Sequence, residues 1–173
     1  SLLLHDIGNK PTFVIREDGK YTFYGHDVVG STMARTILKN LKCSNETIDI
    51  VTNLIGNHMT KYKDNWSDGA VKRFVNRVGK DNISQLFEVL WCDAIASVGR
   101  ANLEETDRLL LRIKTLEMDP MTVKDLAING KDLQEAGIKP SPKMGKILQD
   151  LLEKVLDDPS LNTTETLLSL IKT

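Results

Sequence analysis

From His26 to the end of the chain, apolar residues recur every three to four positions, the spacing that places them on one face of an α-helix. The first long segment puts Val29, Met33 and Ile37 on one such stripe. We therefore predict a mainly α fold, and the predictions of domains and sites below are placed on its helices. The predicted helices cover residues 26–42, 46–59, 69–78, 82–98, 103–117, 122–128, 131–136, 142–156 and 164–171.

The segment before His26 contains the only convincing β pattern. Residues 12–16 and 20–24 alternate apolar and polar side chains, and Asp18-Gly19 lies between them. Asp-Gly between alternating segments is the strongest short-range hairpin signal, because the turn requires positive φ angles. The sequence therefore predicts one small β-hairpin ahead of the helices.

Length and composition limit the classes of protein that remain. The chain has 173 residues, is 40% hydrophobic and 5% aromatic, and carries a net charge of −1. These values suit one domain or two small ones and exclude a generally basic coat for nucleic acid. The longest apolar run, residues 89–92, is too short to span a membrane. Cys43 and Cys92 cannot form a disulfide framework and fit a reducing compartment, so we expect a cytoplasmic protein.

The chain changes character after Pro120. Helical segments shorten, and glycine and proline interrupt them frequently. We predict a domain boundary here, with residues 1–119 forming the first domain and residues 120–173 a small all-helical C-terminal region. The chain begins with Ser1, so we expect a piece of a longer protein.

Three histidines and two acids lie at points typical of metal ligands. The histidines lie at predicted element ends, and Asp93 lies within an otherwise apolar stretch. A buried Asp is rare unless it is paired or binds a metal. The alternative is that two histidines are polar helix caps and Asp93 pairs with an arginine. The candidate ligands of a divalent ion are His5, Asp6, His26, His58 and Asp93.

Two segments could bind nucleic acid. In residues 61–80 basic residues outnumber acidic ones, and on the helix predicted there Lys72, Arg73, Arg77 and Lys80 could lie together. A solvated helix face is the alternative. Residues 133–147 resemble a helix-hairpin-helix, a motif that offers backbone N–H groups to a phosphate. An ordinary αα-hairpin is the alternative there. The basic residues around this turn are Lys139, Lys143 and Lys146.

The order His5-Asp6-Ile7-Gly8, His26, His58 and Asp93 resembles the HD phosphohydrolase pattern. Further matching stretches are residues 23–27, 71–79, 93–97 and 125–133. Together they resemble the C-terminal half of bacterial tRNA nucleotidyltransferases, the CCA-adding and poly(A) polymerase family. The resemblance covers nearly the whole chain. It implies an HD-domain helical bundle followed by a tRNA-binding region.

The resemblance also implies a chemistry. Asp6 and Lys10 would be catalytic, and the five candidate ligands would hold Mg, Mn, Ni or Fe. The expected reaction is hydrolysis of phosphomonoesters or cyclic phosphates at RNA ends. The implied partners are tRNA, at its 3′ end and elbow, and a nucleotide or phosphate ligand.

The sequence departs from the family pattern in two places, and it lacks the motif that nucleotide addition requires. A first metal-binding histidine is expected upstream of His5, and Asn9 separates Gly8 from Lys10. Glu117 and Asp119 have no Gly-Ser before them, so we expect no nucleotide addition by this polypeptide. The alternatives are a free-standing HD phosphohydrolase acting on nucleotides and a non-catalytic RNA-binding module.

Overall fold

The computed structural model describes residues 1–97 and 103–171, and in this part the chain is mainly α-helical, as predicted. The first five predicted helices begin and end within two residues of the observed ones, except that Val98 lies outside the described residues. The elements are α1 (Asn9–Thr12), β1 (Val14–Ile15), β2 (Tyr21–Thr22), α2 (His26–Asn40), α3 (Asn45–Asn57), α4 (Asp68–Val78), α5 (Ile83–Ser97), α6 (Leu103–Thr115), α7 (Gly130–Glu135), α8 (Pro142–Asp157) and α9 (Thr164–Ile171). Among these helices none combines the length and the apolar character needed to cross a lipid bilayer.

The predicted hairpin is confirmed, with a loop one residue longer than Asp-Gly. Strands β1 and β2 pair antiparallel, and Ile15 lies opposite Tyr21. The N–H of Arg16 donates to the carbonyl of Lys20 at 2.9 Å, so residues 17–19 form the loop. Gly19 takes a φ of 76°, the left-handed conformation for which glycine is the usual residue.

Helices α2 and α3 pack side by side in opposite directions. The buried residues are Gly30, Ala34 and Leu38 on α2, and Ile48, Leu54 and Ile55 on α3. The hydroxyl of Ser31 donates to the carbonyl of Thr52 at 2.8 Å and ties the two helices together. Ser44 caps α3 as a serine at this position should, accepting from the N–H of Thr47. This packing brings the first residue of α2 beside the last turn of α3.

A second apolar cluster lies in the C-terminal part of the chain. Its buried members are Leu126, Ile128, Leu133, Met144, Leu151, Leu152, Val155, Leu156 and Leu167. Helix α7 ends in a Schellman motif, because the N–H of Ile138 donates to the carbonyl of Leu133 and Gly137 has a φ of 92°. Pro142 then begins α8, so the predicted pair of helices with a tight turn is present.

The described residues form two compact units. One contains Ser1–Lys63 and Val78–Leu110, and the other contains Asp64–Arg77 and Leu111–Thr173. This division differs from a single boundary after residue 119, because most of α4 belongs to the C-terminal unit. Within that unit Lys72 pairs with Asp119, and Arg73 pairs with acids of α8.

The helix predicted over residues 122–128 is replaced by a single 3₁₀ turn, Val123–Asp125. The carboxylate of Asp125 accepts from the N–H groups of Met121 and Thr122 and so caps the turn on itself. The side chain of Asn162 then bonds the carbonyl of Asp125 and the N–H of Ala127. These backbone groups are therefore satisfied by side chains, and a longer helix does not form.

Candidate metal centre

The five predicted ligands come from four separate parts of the first unit. His5 and Asp6 follow a 3₁₀ turn at Leu2–Leu4, and His26 is the first residue of α2. His58 ends α3, and Asp93 lies on α5. His26 and His58 are buried, His5 and Asp93 are half-buried, and Asp6 is exposed. The arrangement therefore presents an accessible carboxylate in front of buried imidazoles.

Each imidazole is oriented by the same backbone contact. The Nδ1 atom of His5 lies 2.7 Å from the carbonyl oxygen of Leu2. His26 makes the same contact with Phe23 at 2.7 Å, and His58 with Ile55 at 2.6 Å. A carbonyl oxygen only accepts, so each Nδ1 carries the proton and donates it. In a neutral ring held this way Nε2 carries the lone pair, which is the tautomer that metal-binding histidines use.

Two of these electron pairs meet at Asp6. The Nε2 atoms of His26 and His58 lie 3.2 Å apart. Oδ1 of Asp6 lies 3.4 Å from the first and 3.6 Å from the second. Ligand atoms of the three residues all lie within 4.8 Å of one another. The two lone pairs and the carboxylate oxygen repel one another, and a cation placed among them would attract all three.

His5 lies beside the other carboxylate oxygen of Asp6, and Asp93 lies beside His5. The Nε2 atom of His5 lies 3.5 Å from Oδ2 of Asp6 and 3.4 Å from Oδ1 of Asp93. This Nε2 is buried and makes no hydrogen bond, which is rare for a buried polar atom. The structure thus brings all five predicted residues together.

Two glycines allow the His-Asp turn to approach α2. A Cβ atom on Gly8 would overlap the carbonyl oxygen of His26, so no other residue fits there without displacement. A Cβ on Gly30 would lie 3.3 Å from the N atom of Gly8. This backbone contact sets the separation between Asp6 and His26.

The donor set fits a divalent ion. Three imidazole nitrogens and two carboxylates suit Mn, Fe, Ni or Zn, whereas Mg prefers oxygen ligands and bound water. A cleft of about 720 Å³ begins at Asp6 and is lined by Ile7, Asn9, Lys10, Pro11 and Met33. Lys10 is exposed and lies in the same cleft as Asp6.

The basic residues predicted on α4 have different environments. Lys72 is 1% exposed, and its Nζ lies 2.7 Å from Oδ2 of Asp119. Arg73 donates to Glu153 at 2.7 Å and to Asp157 at 2.6 Å. These hydrogen bonds raise the pKa of Arg73 and lower the pKa of Asp157. Lys72 is therefore buried against Asp119, and Arg73 is engaged by two acids of α8, while contact of either residue with RNA stays a prediction.

The other predicted basic residues are exposed. Arg77 places its guanidinium 5.6 Å from the ring centre of Phe74, and Lys80 is exposed in the next turn. Lys139, Lys143 and Lys146 are exposed around the turn between α7 and α8. In the described part of the chain none of these last three forms an ion pair.

Two features of this region have no clear signal in the sequence. The carbonyls that orient the imidazoles belong to Leu2, Phe23 and Ile55, each three residues before a histidine, and any residue supplies a carbonyl. The exposed aromatic residues of the hairpin are also not evident from composition.

The family of the chain follows from comparison with known proteins. The model of the tRNA nucleotidyltransferase domain 2 family matches residues 26–171, so the chain belongs to this family. The predicted resemblance to tRNA nucleotidyltransferases is confirmed at that level. No solved structure gives a significant match.

Three curated relatives are similar to most of the chain. The A-adding tRNA nucleotidyltransferase of Deinococcus radiodurans is 29% identical in an alignment of 161 positions that covers 87% of this chain and 36% of the relative. The CC-adding tRNA nucleotidyltransferase of Thermus thermophilus is 28% identical in an alignment of 152 positions that covers 87% of this chain and 34% of the relative. The CCA-adding enzyme of Latilactobacillus sakei is 29% identical in an alignment of 177 positions that covers 99% of this chain and 41% of the relative. The matched region is thus about a third to two fifths of each relative.

Proposed function

We propose that this chain is the part of a tRNA nucleotidyltransferase that binds tRNA and carries an HD-type, metal-dependent phosphohydrolase site. The observation that carries the proposal is the orientation of His5, His26 and His58. Each places Nδ1 against a backbone carbonyl and turns Nε2 toward a carboxylate oxygen of Asp6, and His5 also faces Asp93. Imidazoles grouped in this way around an accessible carboxylate suit a divalent cation.

The residues divide into two groups around Asp6. His5, Asp6 and Asp93 would hold one ion, and His26 and His58 would complete a second position with Asp6. A bound divalent ion lowers the pKa of water and draws electron density from a phosphoryl oxygen. Lys10, in the cleft that begins at Asp6, would bind a further phosphoryl oxygen through its charge.

The proposed reaction is hydrolysis of a phosphomonoester or a cyclic phosphate at an RNA end. The oxygen of one water bonds to phosphorus as the phosphorus–oxygen ester bond breaks. The leaving alcohol oxygen takes up a proton from that water. The exposure of Asp6 supports an end of a chain as substrate, because the site lies open to solvent beside the cleft.

Family membership and the names of the relatives support tRNA as the partner. The surface that we propose for it is the turn between α7 and α8, with Lys139, Lys143 and Lys146. Arg77 and Lys80 are further candidates. Unpaired lysines around a helix start favour contact with backbone phosphates rather than with base edges.

Hydrolysis of p-nitrophenyl phosphate after loading with Mn, Ni, Fe or Mg tests the phosphohydrolase. The wild-type chain should show metal-stimulated turnover, and Asp6→Asn and His58→Gln should reduce it to background. Asp81→Asn is a matched control, because Asp81 is an exposed acid that lies outside the site. Wild-type turnover equal to that of Asp6→Asn with every metal would refute the hydrolase. Retained tRNA binding in that case would favour the non-catalytic RNA-binding module.

A further inference from the structure

The aromatic residues of this chain are few but concentrated. Of its four phenylalanines and three tyrosines, Phe13, Phe23, Tyr21 and Tyr24 all lie in or beside the hairpin. Their exposed fractions are 46%, 38%, 65% and 79% in that order. Low aromatic content argues against base stacking only if the rings are dispersed, and here they are not.

Three of the rings form one surface. The register pairs Ile15 with Tyr21, so alternation along the strands places Phe13, Ile15, Tyr21 and Phe23 on the same face of the hairpin. The ring centre of Phe13 lies 5.3 Å from that of Tyr21 and 5.7 Å from that of Phe23. Tyr24 lies after β2, in the turn that precedes α2. We call the surface of Phe13, Tyr21 and Phe23 the aromatic face.

This surface is unusual for a pair of short strands. A two-stranded hairpin by itself is marginally stable in water, and hydrophobic packing normally supports it. Here Val14 and Ile15 are 56% and 60% exposed as well, so the hairpin buries little apolar area. Contiguous exposed apolar residues of this kind mark a binding surface.

The hairpin is attached to the candidate metal centre at both ends. Chain positions 7–25 connect Asp6 to His26, so the hairpin is the connection between two proposed ligands. The carbonyl of Phe23 accepts the hydrogen bond that orients His26, at 2.7 Å. The ring of His26 therefore contacts the backbone of Phe23 through Nδ1 and faces Asp6 through Nε2. Asp6, Lys10 and Pro11 line one cleft, and Pro11 lies two residues before Phe13 in the chain.

We propose that the aromatic face stacks on the nucleobase of the substrate whose phosphate lies at the candidate metal centre. This inference rests on the proposed phosphohydrolase and specifies its substrate as a nucleotide or RNA end rather than a simple phosphate ester. Flat rings suit a nucleobase, because base–aromatic stacking tolerates every base. Arg16 and Lys20 are exposed at the hairpin turn, where each lies 3.9 Å from a carboxylate oxygen of Asp18. Because these contacts are long and exposed, both cations would still be open to the phosphates of neighbouring nucleotides.

A comparison of two substrates tests the inference. Tyr21→Ala and Phe13→Ala should each raise the KM for adenosine 3′-monophosphate by about tenfold, equivalent to about 1.4 kcal/mol and within the range of base stacking. The KM for glycerol 2-phosphate, which has no ring, should not change. Tyr24→Ala is the matched control, since it removes an exposed aromatic ring that lies outside the aromatic face. Equal effects on both substrates would overturn the inference.

A binding measurement keeps the inference separate from the hydrolase. We expect NMR resonances of Phe13 and Tyr21 to shift on titration with adenosine 3′-monophosphate and to remain in place with inorganic phosphate. If the chain hydrolyses neither substrate, the proposed function fails, and this titration still decides whether the aromatic face binds a base. Shifts that follow protein concentration instead of the nucleotide would overturn the inference in favour of a second copy of the chain.

Discussion

The Nε2 atoms of His26 and His58 lie 3.2 Å apart, although 32 positions separate the two residues in the chain. Each ring places Nδ1 against a carbonyl three residues earlier, so a neutral ring keeps its lone pair on Nε2. Two such lone pairs repel each other at this distance unless a proton or a metal ion lies between them. The contact is therefore understandable as half of a metal site, and Asp6 supplies the charge that such a site needs.

Gly8→Ala should destabilise the fold and weaken the metal centre. The new Cβ would overlap the carbonyl oxygen of His26, so the His-Asp turn must move away from α2. We expect a loss of about 1–3 kcal/mol in the free energy of unfolding, as for other overpacked sites. Chemical denaturation measures it.

Gly145→Ala provides the control for that substitution. Gly145 lies in α8, and a Cβ added there meets no atom within 4 Å. Since alanine is a better helix former than glycine, we expect a gain of up to about 1 kcal/mol. A loss comparable to that of Gly8→Ala would contradict the steric explanation.

Asp119→Ala should cost more stability than Lys72→Met. Removal of Asp119 leaves the ammonium of Lys72 buried without its partner, a change that typically costs about 3–5 kcal/mol. We expect the lower end, because the Asp119 side chain is 34% exposed and water can reach the gap. Lys72→Met leaves the carboxylate partly solvated, and the double variant should recover stability. Equal losses in the two single variants would contradict this.

The Arg73–Asp157 pair should contribute stability at neutral pH and lose it in acid. The hydrogen bond from Arg73 lowers the pKa of Asp157 from its ordinary 3.8, so the folded state holds the carboxylate ionised more strongly than the unfolded state. The contribution is complete above 3.8 and disappears as pH falls through the lowered value. The difference in unfolding free energy between wild type and Asp157→Asn, measured against pH, should therefore shrink below 3.8. A difference independent of pH would argue that the ion pair is not its source.

Charge reversal of Lys139, Lys143 and Lys146 should weaken tRNA binding and its salt dependence. Each lost phosphate contact removes about 0.7–0.9 from the slope of log affinity against log salt, so the triple variant should lose about 2–3. Filter retention across a salt series measures this slope. Reversal of the exposed Lys39, Lys114 and Lys124 is the matched control. The same loss of slope in both variants would place the RNA surface elsewhere.

Local patterns were sufficient to predict the helices and the positions of the histidines. Apolar periodicity gave α2 and α3, and the ends of these helices placed His26 and His58 correctly. The error at residues 122–128 arose because Asn162, distant in sequence, bonds the backbone there. Such a competition between a helix and a side chain is not visible in a window of a few residues.

Other features depend on contacts between distant residues. Lys72 looked like a surface cation, yet Asp119 compensates its burial. The aromatic face could not be predicted from composition, because the fraction of aromatic residues does not tell where their rings lie. Convergence of the five candidate ligands was expected mainly from the family resemblance, since no two of them share a short metal-binding spacing.

The most direct test of the account is the divalent metal content of the chain. After loading with Mn or Ni and dialysis, elemental analysis of wild type and Asp81→Asn should show bound metal. Asp6→Asn and His58→Gln should bind at least about 10–100-fold more weakly, as expected when a ligand environment is damaged. The same metal content in all four proteins, or none in the wild type with any divalent ion, would contradict the account.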